Sequence, residues 1–95
     1  LDLAARYGGE EFVVGMPGAG LAEAAIASER LRASIAADPF EVAEDKTAVV
    51  TVSIGFAQAQ IGESAEALLR RADEALYVAK GEGRNRSEAA TSAAA

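Results

Sequence analysis

Ala5-Arg6-Tyr7-Gly8-Gly9-Glu10-Glu11-Phe12 is the stretch from which the fold is read. Apolar residues flank it on both sides, Leu3 and Ala4 before it and Val13 and Val14 after it. Two extended runs about a Gly-Gly element predict a β-hairpin. Met16-Pro17-Gly18 ends the second strand, because proline cannot donate to a ladder and glycine permits the turn.

Outward from the hairpin, residues 21 to 36 read as a helix. Leu21, Ala24, Ala25, Ser28, Leu31 and Ile35 recur at spacings of three and four, with Glu23, Glu29, Arg30 and Arg32 on other faces. Asp38-Pro39 stops it, since the residue before proline is pushed out of helical angles. Phe40 to Val42 reads as a short strand and Glu44-Asp45-Lys46 as a polar turn. Thr47 to Ala57 is β-branched almost throughout, which predicts one long strand with both faces covered, broken or bulged at Gly55.

Ser64 is placed to cap a second helix, with Glu66 in its first turn. Ala65, Leu68, Leu69, Ala72, Ala75, Leu76 and Ala79 form its apolar stripe, and Gly81 and Gly83 end it. Residues 87–95 carry no pattern and read as a disordered tail. The expected fold is therefore one α+β domain over 1–86, a mainly antiparallel sheet with helices packed on it.

Composition narrows the chemistry. The 95 residues suffice for one core and contain no cysteine and no histidine, which leaves carboxylates, hydroxyls, amides, Lys and Arg to act. Hard oxygen ligands of that kind favour Mg²⁺ or Mn²⁺ over zinc or copper. A net charge of −6, from 15 acidic and 9 basic residues, argues against a nucleic-acid partner. No run approaches the ~18 apolar residues of a membrane helix, so no direct membrane contact is expected and the default compartment is cytoplasmic.

Two places could hold a site. At the hairpin tip, the Gly8 and Gly9 amides can face phosphate oxygens, and Glu10 beside Glu11 can hold a divalent cation. Taken alone, this pattern is more often a glycine turn followed by solvated acids. At the end of the second helix, Lys80, Arg84 and Arg86 cluster among glycines, where cations can bind phosphate. Taken alone, that is a helix terminus with dipole-matching charges. By the same default, Arg70, Arg71, Asp73 and Glu74 form a solvated face with local ion pairs, Arg30 is an exposed helix residue, and Tyr7 and Tyr77 pack.

Together these segments resemble the GGDEF family of diguanylate cyclases. Residues 5–12 resemble its signature in the GGEEF spelling, Val50-Thr-Val-Ser-Ile-Gly55 its later core strand, and Arg71-Ala-Asp-Glu-Ala-Leu-Tyr77 with Ala79-Lys80 and Gly83-Arg84-Asn85 its closing helix and phosphate-binding end. The resemblance implies the C-terminal part of a nucleotidyl-cyclase-like, ferredoxin-type fold. It implies condensation of two GTP into cyclic di-GMP and pyrophosphate, across an antiparallel homodimer. Gly8 and Gly9 would lie along the phosphates, Glu10 and Glu11 would act at the metal and in catalysis, and Lys80 and Arg84 would neutralise terminal phosphates. Asp2 and Arg30 match positions of a product-binding inhibitory site. The family's preceding half, with a metal-binding Asp and the guanine-reading residues, has no counterpart here. The 95 residues alone are thus expected to be inactive. The alternative reading is a catalytically dead module that binds GTP or cyclic di-GMP and regulates an attached domain.

Overall fold

A computed structural model describes residues 3–6 and 12–91 of the chain. Among the described residues eight elements follow in order: β1 (Leu3–Arg6), β2 (Phe12–Gly15), α1 (Leu21–Ala37), β3 (Phe40–Ala43), β4 (Lys46–Ala48), β5 (Ile54–Phe56), α2 (Ala65–Gly81) and β6 (Ser87–Ala89). The architecture is α+β, as the residue pattern predicts. Strands pair two by two: β1 with β2 and β3 with β4 antiparallel, β5 with β6 parallel.

The first pair has the register Leu3↔Gly15 to Arg6↔Phe12, so residues 7–11 link its ends. Beyond β2, the Ala19 N–H donates to the Met16 carbonyl at 3.1 Å, and Gly18 has φ +80°. With Pro17 at the second position this is a type II turn, in which the third residue needs a left-handed φ. Helix α1 then starts at Gly20, whose N–H is reached by Glu23 Oε1 at 3.4 Å. Glycine has no side chain to return the bond, so only half a capping box exists. Asp38, extended at φ −117° and ψ 131°, ends the helix before Pro39, as the proline rule requires.

The centre of the structure is the β5–α2–β6 unit. Gly55 lies so close beneath α2 that a Cβ there would collide with the backbone at Ala72 and Leu76. Helix α2 packs on β5 and β6, and α1 leans on the same two strands. Among the described residues only Ala75, 5% exposed, and Ala79, 0% exposed, are buried apolar side chains, both on α2. Small residues at this contact allow the close approach that Gly55 makes possible.

Several sequence expectations change. The strand expected over Thr47 to Ala57 is two short strands separated by residues 49–53, with Val49 and Val50 exposed. A β-branched run favours extended backbone, but a strand exists only where a neighbour accepts its hydrogen bonds, and no described residue pairs with 49–53. Ser87–Ala89, expected within a disordered tail, instead forms β6. The Ile54 N–H donates to the Arg86 carbonyl at 2.9 Å and the Ala90 N–H to the Phe56 carbonyl at 2.7 Å, so β5 supplies the partner that orders it. Residues 92–95 of that expected tail lie outside the described residues. Tyr77, expected to pack, is 79% exposed, on the side of α2 away from its small-residue seam.

Candidate functional site at the end of α2

Helix α2 is built with defined ends. Ser64 Oγ accepts from the Ala67 N–H at 3.1 Å, the N-cap bond the sequence predicts. At the other end the Glu82 N–H donates to Val78 O at 2.8 Å and the Arg84 N–H to Ala79 O at 2.9 Å, across Gly83 at φ +120°. The second of these is the six-to-one bond of a Schellman motif, which needs a left-handed residue where Gly83 stands. Arg84 at φ 64° and Asn85 at φ 47° continue in left-handed conformation, which is uncommon outside glycine. The chain therefore turns tightly off the helix and presents its basic residues at one tip.

Lys80, in the last turn, and Arg84, just beyond the cap, are both exposed, and among the described residues neither side chain makes a hydrogen bond or ion pair. Two cations left without carboxylate partners beside the loop suit an anionic ligand. Arg86 differs: it is half-buried, and its Nε donates to the Arg84 carbonyl at 3.3 Å. The cluster expected from sequence thus divides into two free cations and one that braces the loop.

A contact invisible in the local sequence holds this loop from outside. On α1, Arg32 Nε donates to both carboxylate oxygens of Glu29, at 3.1 and 3.0 Å. Arg32 Nη1 also donates to Asn85 Oδ1 at 3.0 Å, and Ser87 Oγ donates to Glu29 Oε2 at 2.6 Å. The guanidinium and the Ser87 hydroxyl together hold the Glu29 carboxyl below the usual carboxylate range. Periodicity puts Glu29 and Arg32 off the apolar face of α1, but neither their pairing nor the link to a loop 53 residues away is legible from it.

Arg71, expected on a solvated face, is engaged from three sides. It holds Glu63 through Nε to Oε2 and Nη2 to Oε1, both at 2.7 Å. It also donates to the carbonyls of Gln58 at 2.6 Å and Thr91 at 2.9 Å. The chain after β5 and the chain after β6 both present carbonyls there, and the long guanidinium fork reaches both.

Arg30 is exposed on α1. Standing two positions from Arg32, it faces away from the loop that Arg32 holds. Gly8, Gly9, Glu10, Glu11, Asp2 and Tyr7 lie outside the described residues. Among the described residues no group of three or more acidic side chains comes together as a cation site. None of their helices is long and apolar enough to cross a membrane.

Residues 1–86 match the family model described as diguanylate cyclase, GGDEF domain. The chain is 52% identical over 87 residues to the response regulator PleD of Caulobacter vibrioides, covering 90% of this chain and 19% of that protein. It is 46% identical over 89 residues to the diguanylate cyclase DgcP of Pseudomonas aeruginosa, covering 94% of this chain and 13% of that one. In three dimensions it resembles the crystal structure of the GGDEF domain of DgcB from Caulobacter crescentus in complex with c-di-GMP. That likeness has a TM-score of 0.90 at 39% identity, and covers 96% of this chain and 53% of the other. The chain thus spans about a fifth or less of these curated relatives and about half of the solved domain.

Proposed function

The chain belongs to the GGDEF family of diguanylate cyclases, and from that premise we propose that the whole protein condenses two GTP into cyclic di-GMP and pyrophosphate. The observation that carries the reading is the pair Lys80 and Arg84, exposed and unpaired among the described residues at the end of α2. In this reaction each ribose 3′-oxygen forms a bond to the other nucleotide's α-phosphorus, the bond from that phosphorus to pyrophosphate breaks, and the 3′-hydroxyl proton leaves. Negative charge gathers on the departing pyrophosphate, and fixed cations lower the barrier by stabilising it. Lys80 and Arg84 take that role.

Gly8 and Gly9 cradle the phosphates, and Glu10 and Glu11 provide hard oxygen donors of the type Mg²⁺ or Mn²⁺ selects. A bound divalent ion supplies Lewis-acid charge stabilisation at the phosphoryl oxygens. Glu10 also takes part in removing the 3′-hydroxyl proton. Two copies of the protein, each presenting one GTP, form the competent homodimer. Asp2 and Arg30 belong to a separate product site, an assignment made by their positions in the sequence; that the similar DgcB domain is named as a complex with c-di-GMP supports product binding as such. The protein acts in the cytoplasm. The 95 residues tested by themselves are not expected to turn over GTP.

The test is to incubate the whole protein with GTP and Mg²⁺ and follow cyclic di-GMP and pyrophosphate together. Both products should appear in a 1:2 ratio, about in step with each other, and Glu10→Gln should abolish both while the protein stays folded. GTP binding without any product would instead favour the regulatory module.

A further inference from the structure

We propose that Arg32 and Glu29 of α1 are positioning residues for the phosphate grip, holding Arg84 in place through Asn85 and Ser87. The proposal rests on the reading of Arg84 as a GTP-phosphate ligand. Arg84 and Asn85 are consecutive residues in left-handed backbone, at φ 64° and φ 47°. Asparagine tolerates such an angle, but an arginine keeps it only where its surroundings hold it. The helix cap fixes the entry to this turn, through the Arg84 N–H on Ala79 O at 2.9 Å. Its exit is held from α1: Arg32 Nη1 grips Asn85 Oδ1 at 3.0 Å, and Glu29 Oε2 receives the Ser87 hydroxyl at 2.6 Å. Arg32 Nε, shared between the two Glu29 carboxylate oxygens at 3.1 and 3.0 Å, makes the two grips one unit.

Arg84 is thus clamped on both sides while its own side chain stays free. A cation prepositioned this way binds with less ordering cost than one on a mobile loop. Neither Arg32 nor Glu29 needs to touch the nucleotide. Lysine could not replace Arg32, because one ammonium does not reproduce a planar fork that engages a carboxylate and an amide oxygen at once. The clamp also ties the ligand-gripping loop to α1, so displacement of α1 is felt at Arg84.

The experiment measures, by calorimetry with Mg²⁺, the Kd of the whole protein for a GTP analogue whose α–β bridging oxygen is replaced by carbon. Arg84→Ala, Arg32→Ala, Asn85→Gly and the double variant Arg32→Ala/Arg84→Ala are compared with the unaltered protein. Asn85→Gly removes the acceptor yet tolerates the left-handed backbone, so it carries the test if Arg32→Ala does not fold. Arg32→Ala and Asn85→Gly should each raise Kd by roughly three- to tenfold. In the Arg84→Ala background, Arg32→Ala should add nothing, because its effect passes through the missing side chain. Unchanged Kd in both single variants, or additive loss in the double one, overturns the proposal while leaving Arg84 a ligand. An Arg84→Ala protein that binds the analogue as the unaltered one does overturns the phosphate reading itself, and this inference with it.

Discussion

Arg71 and Glu63 meet through two parallel bonds of 2.7 Å, side chain to side chain, with the arginine 13% and the glutamate 5% exposed. Glu63 lies one residue before the N-cap of α2, and Arg71 lies two turns into the helix. The same guanidinium takes the carbonyls of Gln58 and Thr91, so one side chain ties the exit of β5, the start of α2 and the chain after β6. Removing Arg71 leaves the Glu63 carboxylate without its partner and two backbone carbonyls without their donor, whereas removing Glu63 leaves the guanidinium short of its carboxylate alone.

Arg71→Ala should accordingly lower the thermal midpoint by about 5 °C or more in a domain of this size. Arg71→Lys should recover only part of the loss, since one ammonium cannot make four directed bonds. Scanning calorimetry of both variants checks this. A midpoint within a degree or so of the unaltered protein would return Arg71 to a solvated face.

The same pair sets a pH dependence. The Arg71 hydrogen bond, together with the Gln60 N–H and the nearby charge, holds the Glu63 carboxyl below its ordinary range against a smaller opposing effect of burial. Because the folded value is the lower one, the unfolded chain binds the proton first as pH falls. Stability is then present above the ordinary glutamate value, about pH 4.3, and is lost as pH drops toward the folded value. Glu29 acts in the same direction, held down mainly by Arg32 and then Ser87. Denaturant midpoints measured from pH 6 down to about pH 3 should fall less steeply in Glu63→Gln than in the unaltered protein.

Gly55 admits no side chain. A methyl there would strike the α2 backbone at Ala72 and Leu76, which cannot yield as a side-chain tip can. Gly55→Ala should push α2 off β5 and destabilise by about 1–3 kcal/mol, the usual range for overpacking, or more. Gly62→Ala, at an open turn position with φ +78°, should cost less, because its cost is backbone strain alone. Parallel denaturation curves of the two variants give the order, and an inverted order would contradict the packing described.

Lys80→Ala and Arg84→Ala, by contrast, should lower the melting curve less than Arg71→Ala does, since each side chain is exposed and loses only about 0.3 kcal/mol of dipole pairing at ordinary salt. In the whole protein both should raise the GTP concentration needed for half-maximal rate. Normal nucleotide affinity with a large stability loss would make them structural residues instead.

What the sequence determined by itself is what depends on neighbours along the chain. Hydrophobic spacing marked both helices, Pro39 and Gly83 marked where they stop, Ser64 marked a cap, and Pro17-Gly18 marked a turn. Each of these is a local matter of φ, steric fit or a missing donor, and each is where the residues placed it. The motifs at 5–12, 50–55 and 71–85 likewise sufficed for the family, which the match over residues 1–86 bears out. The tertiary structure alone decided what depends on a partner from elsewhere. Residues 49–53 have every propensity of a strand and are not one, because no described segment pairs with them. Ser87–Ala89 has no strand pattern and is one, because β5 offers it a ladder across α2. Arg71 and Arg32 read as ordinary helix-surface charges, yet their guanidinium groups reach acceptors 20 and 53 residues away. A side chain's composition and spacing state which bonds it is able to make; only the folding of distant segments against one another selects the bonds it forms.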